Sequence, residues 1–287
     1  MSSLNTTTVA SRPLLNLNDT TDVGKSYFET DSNKLLVWDG TAWNEWNRDS
    51  SIYPYVNNNF SGSFDGSADW IDCNAVTDYH GASQMSLSFW WKPTISGQGP
   101  SIGYRLAAGS DWGITESTVI LRSASGTDGI LTYTPPTGTD WHHYLLTFNA
   151  GTAVLYIDGS SVSLSGTLTY TTLHSQTADF EIGRLSTLSS AVGLFDEVAL
   201  WTTALDSSNV SEIYQGDPNF DLSTDAGDYD QSSNLTHWWR LGDHASDTSS
   251  GGGAVADGNT IGNVENAANP GTNDGSGTGA TYSSTVK

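Results

Sequence analysis

Residues 140–162 read DWHHYLLTFNAGTAVLYIDGSSV. Residues 141–148 are rich in aromatic and aliphatic side chains, Asn149-Ala150-Gly151-Thr152 breaks the run, and residues 153–157 resume it. Asp158-Gly159 then stops it. Asp-Gly is a strong turn signal, because Gly tolerates positive φ and the Asp carboxylate bonds to nearby backbone amides. The stretch therefore reads as a hairpin with strands of about eight residues, with a second hairpin leaving its end.

Around this hairpin lies a chain of 287 residues, long enough to bury a large core as an all-β domain. It holds 32 acidic residues, 25 Asp and 7 Glu, against 10 Lys plus Arg, for a net charge of −22. Glu favours helices, whereas Asp favours turns and caps. Acidity carried by Asp beside abundant Ser, Thr and Gly predicts a turn-rich β protein. Eleven Trp and twelve Tyr fit broad sheet surfaces. The charge argues against nucleic acid as a partner, which requires clustered Lys and Arg. It argues equally against docking on an anionic membrane. It is compatible with calcium and with high-salt surroundings.

The single cysteine, Cys73, excludes an intrachain disulfide and reads as a buried thiol. Residues 1–18 lack a basic segment followed by an apolar run, so no secretory signal is expected. No apolar run approaches the ~18 residues of a membrane span. The expectation is synthesis in a cytoplasm, with exit by another route, such as inside a particle released from a lysing host.

Three segments are expected. Residues 1–50 hold a small β-meander, with strands at 26–29, 34–38 and 41–46 separated by Thr30-Asp31-Ser32-Asn33 and Asp39-Gly40. So small a meander buries too little to stand alone and should dock on a neighbour. Residues 51–216 form the main domain, a series of strand-like runs ending in a helix at 202–215. Asp206 or Ser207 caps that helix, and Val210, Ile213 and Tyr214 form its apolar stripe. In residues 195–201 strict alternation puts Asp196, Val198 and Leu200 on one face, with Phe195, Glu197, Ala199 and Trp201 on the other. Residues 217–287 form an extension. An acidic loop precedes NLTHWWRLGD, and the remainder is Gly, Ser, Asn, Thr and Ala of linker-like composition. That tail is expected to be pinned by a partner or by the domain's own surface.

Five blocks carry a family resemblance: Phe64-Asp65-Gly66 with Trp70; Ser88-Phe89-Trp90; Trp141-His142-His143 with Tyr156-Ile157-Asp158-Gly159; Ile182-Gly183; and Asp196-Glu197-Val198 with Ala204-Leu205. In this order they resemble a laminin-G-like domain of the concanavalin A-like lectin/glucanase superfamily. The resemblance implies a two-sheet antiparallel jelly-roll sandwich. It also implies a binding module for glycans, proteins or steroids, often with calcium, and in a minority a glycosidase or lyase. The meander resembles a short motif of bacteriophage tail-fibre and other virion proteins. Gly24, Tyr27, Phe28, Thr30, Leu35, Val37, Trp38, Asp39, Gly40 and Trp43 carry that match. The WWRLGD run after such a domain also resembles phage structural proteins.

The glycosidases of the superfamily place two carboxylates at alternate positions of one strand. Here Glu181-Ile182-Gly183 has Gly where the second acid belongs, and Asp196-Glu197 are adjacent, so they should face opposite ways. No enzyme activity is expected. His142-His143 likewise cannot form one metal site alone and read as framework, and no G-x-S-x-G elbow is present. A calcium site, if built, draws on Asp65, Asp69, Asp72 and Asp196; the bland alternative is solvated turn aspartates. A glycan site needs exposed rings beside loops, and Tyr104, Trp112 and Tyr133 fall in the least family-like region, 95–140. Those rings either face a ligand or pack the sandwich edge. Tyr27, Phe28, Leu35, Val37, Trp38 and Trp43 are the expected attachment residues.

The resulting expectation is a non-enzymatic phage virion protein, a capsid decoration or fibre-like appendage. Its partners are other virion proteins, sister chains in a homo-oligomer, and host-surface glycans. The alternatives are a cement protein that binds no glycan, a secreted adhesin, and a glycan depolymerase.

Overall fold

Strands in this chain are set by two signals, short apolar runs and the turns that separate them. The computed structural model describes the backbone of residues 5–7, 26–29, 34–38 and 43–45. It further describes 58–66, 69–106, 109–123, 128–175, 179–185, 190–216, 218–243, 260–261, 275–278 and 280–287. The chain divides into two units, Met1–Pro54 and Tyr55–Lys287.

The first unit carries β1 (Asn5–Thr7), β2 (Ser26–Glu29), β3 (Lys34–Trp38) and β4 (Trp43–Glu45), side by side in that order. β2, β3 and β4 form an antiparallel meander, with Phe28 opposite Leu35 and Trp38 opposite Trp43. β1 joins parallel to β2, a strand that composition alone did not suggest. The side chains of Tyr27, Phe28, Leu35, Val37, Trp38 and Trp43 lie outside the described residues.

The second unit begins with β5 (Ser61–Asp65), β6 (Trp70–Asp72), β7 (Gln84–Pro93), β8 (Ile102–Leu106), β9 (Gly109–Ile114), β10 (Thr118–Arg122) and β11 (Asp128–Thr132). It continues with β12 (His142–Asn149), β13 (Thr152–Ile157), β14 (Ser160–Val162), β15 (Asp179–Ile182), β16 (Val192–Trp201) and the helix α1 (Ser207–Gly216). β17 (Leu235–Trp239), β18 (Thr260–Ile261), β19 (Gly275–Thr278) and β20 (Thr281–Ser283) complete it. The first sheet runs β14-β13-β12-β7-β16-β5-β20, with β17 also on β16, and the second β11-β10-β9-β8-β15-β6-β19-β18. Every pairing within these two sheets is antiparallel. This is the two-sheet jelly-roll sandwich that the resemblance implied.

The hairpin of residues 140–162 is β12, β13 and β14. Ala150 and Gly151 link the first pair with φ of 45° and 94°, and Asp158 and Gly159 link the second with 52° and 73°. Positive φ at both central residues is the tight turn whose twist matches the strands.

Between the sheets, Leu87, Phe89 and Trp91 of β7 and Tyr144, Leu146 and Phe148 of β12 meet Tyr104, Trp112, Ile114, Phe180 and Ile182 of the opposite sheet. Phe89 stacks on Tyr144 at 5.4 Å and Phe180 on Trp239 at 5.4 Å. Cys73 is fully buried.

β16 departs from strict alternation. Phe195, Val198 and Leu200 all point into this core, although Phe195 and Val198 are three residues apart. The register against β7 slips between Asp196 and Ala199, and Glu197 has φ of 48°. A β-bulge therefore places Asp196 and Glu197 together on the outward side. The expectation that the two acids face opposite ways is corrected: the extra residue cancels one alternation.

A second apolar layer covers the outer face of the first sheet. α1 and the loop after it lay Val210, Ile213, Phe220, Leu222 and Tyr229 over Trp90, Leu145, Ala199 and Trp201, all buried. Asp206 starts the helix, its Oδ1 accepting the backbone N–H groups of Ser208 and Asn209 at 3.0 Å each. Those bonds hold its carboxyl below the usual carboxylate range. The described strands of the C-terminal extension are thus part of the sandwich. β17 lengthens the first sheet, β19 pairs with β6, and β20 pairs with β5.

Candidate functional site

Tyr104, Trp112 and Tyr133 all lie inside. Tyr104 is on β8, Trp112 on β9 and Tyr133 one residue past β11; their exposures are 0 %, 1 % and 6 %. The Tyr104 hydroxyl donates to the Val76 carbonyl at 2.5 Å, and that of Tyr133 to the Thr115 carbonyl at 3.0 Å. As placed, they offer no ring face to a ligand. Tyr104 and Trp112 lie on strands and Tyr133 directly after one, and all three rings point into the core.

The four aspartates weighed for calcium do not converge. Asp69 is buried, and its Oδ2 accepts the Asp65 backbone N–H at 2.8 Å. Asp72 sits on β6 in the second sheet and accepts the Asn74 N–H at 2.9 Å. Asp196 is on the first sheet, where Glu197 N and Asn58 Nδ2 each donate to it at 2.9 Å. Among the described residues no group of three acidic, His or Cys side chains could hold a metal ion. The set as placed does not fit a calcium cage, because Asp69, Asp72 and Asp196 accept amide donors, with Asp72 on one sheet and Asp196 on the other.

Asp196 and Glu197 form instead a buried acidic pair with one cation. Arg240 donates to Glu197 at 3.0 Å, and Trp238 Nε1 donates at 2.5 Å. Burial outweighs these bonds and raises the Glu197 carboxyl to about 7. Asp196 is pushed well above the usual carboxylate range by burial and by Glu197. WWR lies on and just after β17, and Trp238 and Arg240 there are the partners of Glu197, a pairing that strand pattern does not reveal. Opposite charges inside two runs rich in bulky apolar residues, Glu197 in VGLFDEVALW and Arg240 in LTHWWRLGD, are the signal the sequence offers.

Beside Glu197 is a small cavity between β7, β12 and α1. Ser88, His143 and Glu197 line it together with Trp90, Ile213, Pro218, Phe220 and Leu222. It has room for about one water molecule. Ser88 Oγ and His143 Nε2 are 2.7 Å apart, and burial lowers the imidazole to about 3, so it is neutral. Ser88 is 2 % exposed, so this Ser–His pair cannot meet a polymeric substrate. The neighbouring His142 bonds Asp158 through Nδ1 at 2.6 Å, and Asp158 also accepts the His143 N–H at 2.9 Å. Both histidines serve the turn.

The outer face of the second sheet is different. Trp70 of β6 is half-buried, and the Arg184 guanidinium lies 3.6 Å from its ring centroid. Glu181 of β15, 2 % exposed, grips Arg184 Nε at 2.8 Å and Nη2 at 2.5 Å. A guanidinium has five N–H donors, so the grip leaves three. The result is a flat, oriented donor backed by indole. Ile130, 56 % exposed, stands on the same sheet. At the position where the glycosidase pattern has its second acid, this chain has Gly183, and a side chain there would meet the core. Gly183 has φ of 90°, and a Cβ there would lie 2.3 Å from the Phe64 ring.

Among the solved structures that resemble the chain are the following three. A candidate carbohydrate-binding protein from Bacteroides ovatus matches at 19 % identity and TM-score 0.48, over 79 % of this chain and 60 % of its own. Domain 4 of an extracellular arabinanase from Geobacillus stearothermophilus, solved with arabinotriose, matches at 19 % and 0.38, over 54 % and 76 %. A heptameric pentraxin from Limulus polyphemus matches at 14 % and 0.40, over 55 % and 83 %. No curated protein matches in sequence. Residues 65–211, just over half of the chain, match the laminin-G-like family model of the concanavalin A-like lectin/glucanases superfamily. With the two antiparallel sheets already described, the chain belongs to that superfamily.

Proposed function

We propose that the protein is a non-enzymatic, lectin-like structural component of a phage virion, and that it adheres to host-surface glycans through the outer face of its second sheet. The observation that carries the glycan reading is the Trp70–Arg184–Glu181 stack. Sugar rings offer apolar C–H faces and hydroxyl acceptors together; an indole edge and fixed N–H donors answer both. The first sheet offers no comparable face, because α1 and the loop after it cover its outer side. The acids do not support hydrolysis. Glu181 is neutralised by Arg184, and Asp196 and Glu197 lie under a second layer, closed to a substrate and its water.

The virion reading rests on the resemblance of the meander around residues 24–43 and on the WWRLGD run. The first unit fastens the protein to other virion proteins or to sister chains. The glycan reading is tested on an array of bacterial surface glycans. Wild-type protein binds a defined subset, and Trp70→Ala and Arg184→Ala each weaken that binding tenfold or more while the fold persists. An array without hits removes the lectin reading and leaves a cement role. Released reducing ends from host polysaccharide overturn the non-enzymatic assignment.

A further inference from the structure

Lys287 ends on a cluster of three aromatic rings. Its Nζ lies 4.1 Å from the Trp90 ring centroid and 5.6 Å from that of Tyr214. Trp90 and Tyr214 are stacked at 5.9 Å, His143 stacks on Tyr214 at 6.1 Å, and Trp90 and His143 are 5.0 Å apart. The rings come from β7, α1 and β12, so each is positioned by its own element. Gly159 backs onto Tyr214 so closely that a Cβ would lie 2.8 Å from the ring. The framework alone thus builds the aromatic surface.

The ammonium arrives from elsewhere. β20 lies at the edge of the first sheet, with β5 and β16 between it and β7. Residues 284–287 therefore cross the outer face to reach Trp90. Ser61 Oγ donates to the Thr285 carbonyl at 2.9 Å on the way. Trp90 is 3 % exposed with the lysine in place. The face of an indole attracts a cation through its quadrupole, more strongly where water is excluded. In a chain of net charge −22 the surrounding field also favours cations.

We propose that Trp90, Tyr214 and His143 form a binding site for an alkylammonium group, the chemistry of a lysine side chain, and that Lys287 fills this site as a displaceable plug. The site is preformed, and residues 284–287, which fill it, lie outside β20. Removing the plug leaves a cation site open to a lysine on another chain or to a free amine.

The test follows the Trp90 indole N–H resonance, assigned with Trp90→Phe, in the full chain. n-Butylammonium is the probe, and n-butanol at equal concentration is the neutral control. Lys287→Ala shows a saturable shift with n-butylammonium, while wild type and Lys287→Arg show less than a tenth of it. Lys287→Met, which keeps the aliphatic stem, behaves as the Ala variant does. The acetylated, amidated tetrapeptide Ser-Thr-Val-Lys is the second arm. Binding at least threefold tighter than n-butylammonium assigns the site to chain-borne lysine; equal binding assigns it to small amines. No saturable shift in either plug-free variant, or an equal response to n-butanol, overturns the proposal.

Discussion

Glu197 and His143 sit on the same small cavity and titrate in opposite senses. The Glu197 carboxyl is raised from 4.5 to about 7, so its contribution to stability is fully present below pH 4.5 and lost as pH rises through 7. The His143 imidazole is lowered from 6.5 to about 3, so its contribution is present above pH 6.5 and lost as pH falls toward 3. Between pH 4.5 and 6.5 the two slopes oppose each other; below pH 4.5 only His143 still changes. Thermal melts across pH check this pair. Relative to wild type, Glu197→Gln loses stability progressively on acidification from pH 7 to 4.5, by a few kcal/mol, because the compensating proton uptake is gone. His143→Asn costs stability at pH 7, and its disadvantage shrinks on acidification below pH 6.5. A His143→Asn difference that stays constant from pH 7 to 4 contradicts the assignment.

At the scale of elements, local signals told the strands and the helix well and the bulge badly. Asp158-Gly159 announced its turn because positive φ is a local property of those residue types. The helix was legible from Asp206 and the Val210, Ile213, Tyr214 stripe. Asp206→Ala should cost about 1 kcal/mol, read by denaturant unfolding, because two backbone N–H groups lose their acceptor. An unchanged midpoint would show that the cap is not needed. By contrast, the inward turn of Phe195 depends on an extra residue in β16 relative to β7, which alternation within one strand does not encode. Of the two placements the sequence left open for Tyr104 and Trp112, facing a ligand or packing in the sandwich, the structure has the second, and Gly103 and Gly113 let the strands that carry them approach closely. The two glycines face each other across β8 and β9, where a Cβ on Gly103 would lie 2.3 Å from the Trp112 carbonyl. The platform of Trp70 and Arg184 was hidden for another reason: it joins Trp70 of β6 to a residue just past β15, and only pairing in space shows it.

For the whole molecule, the least strand-like composition supplies closing strands to both sheets. GSGT and TYS, the sequences of β19 and β20, lack an apolar alternation. They hold because edges of β5 and β6 need backbone partners, a demand that side-chain patterns do not report. Ala280 and Tyr282 are buried in the main core. Deleting residues 275–287 should lower the melting temperature by roughly 5 °C or more, from the lost Tyr282 burial alone. It should also induce concentration-dependent association, as two bare edges seek new strands. A truncated protein that melts like the full chain and stays monodisperse would contradict this role.

The register of β20 on β5 has a mechanical meaning as well. Ser283 lies opposite Ser61 and Thr281 opposite Ser63. The chain therefore runs into β5 and out of β20 at the same point of the sheet. Tension between residues preceding Ser61 and residues following Ser283 loads the hydrogen bonds of this pair one after another, as in a zipper, not all at once in shear. Asp243 reinforces that corner by accepting the N–H groups of Asn59 and Phe60 at 2.9 and 3.0 Å. Pulled between those two points, the sandwich behaves as a pendant on a line, and its first events under load are the release of residues 284–287 and then the peeling of β20, which draws Tyr282 out of the core.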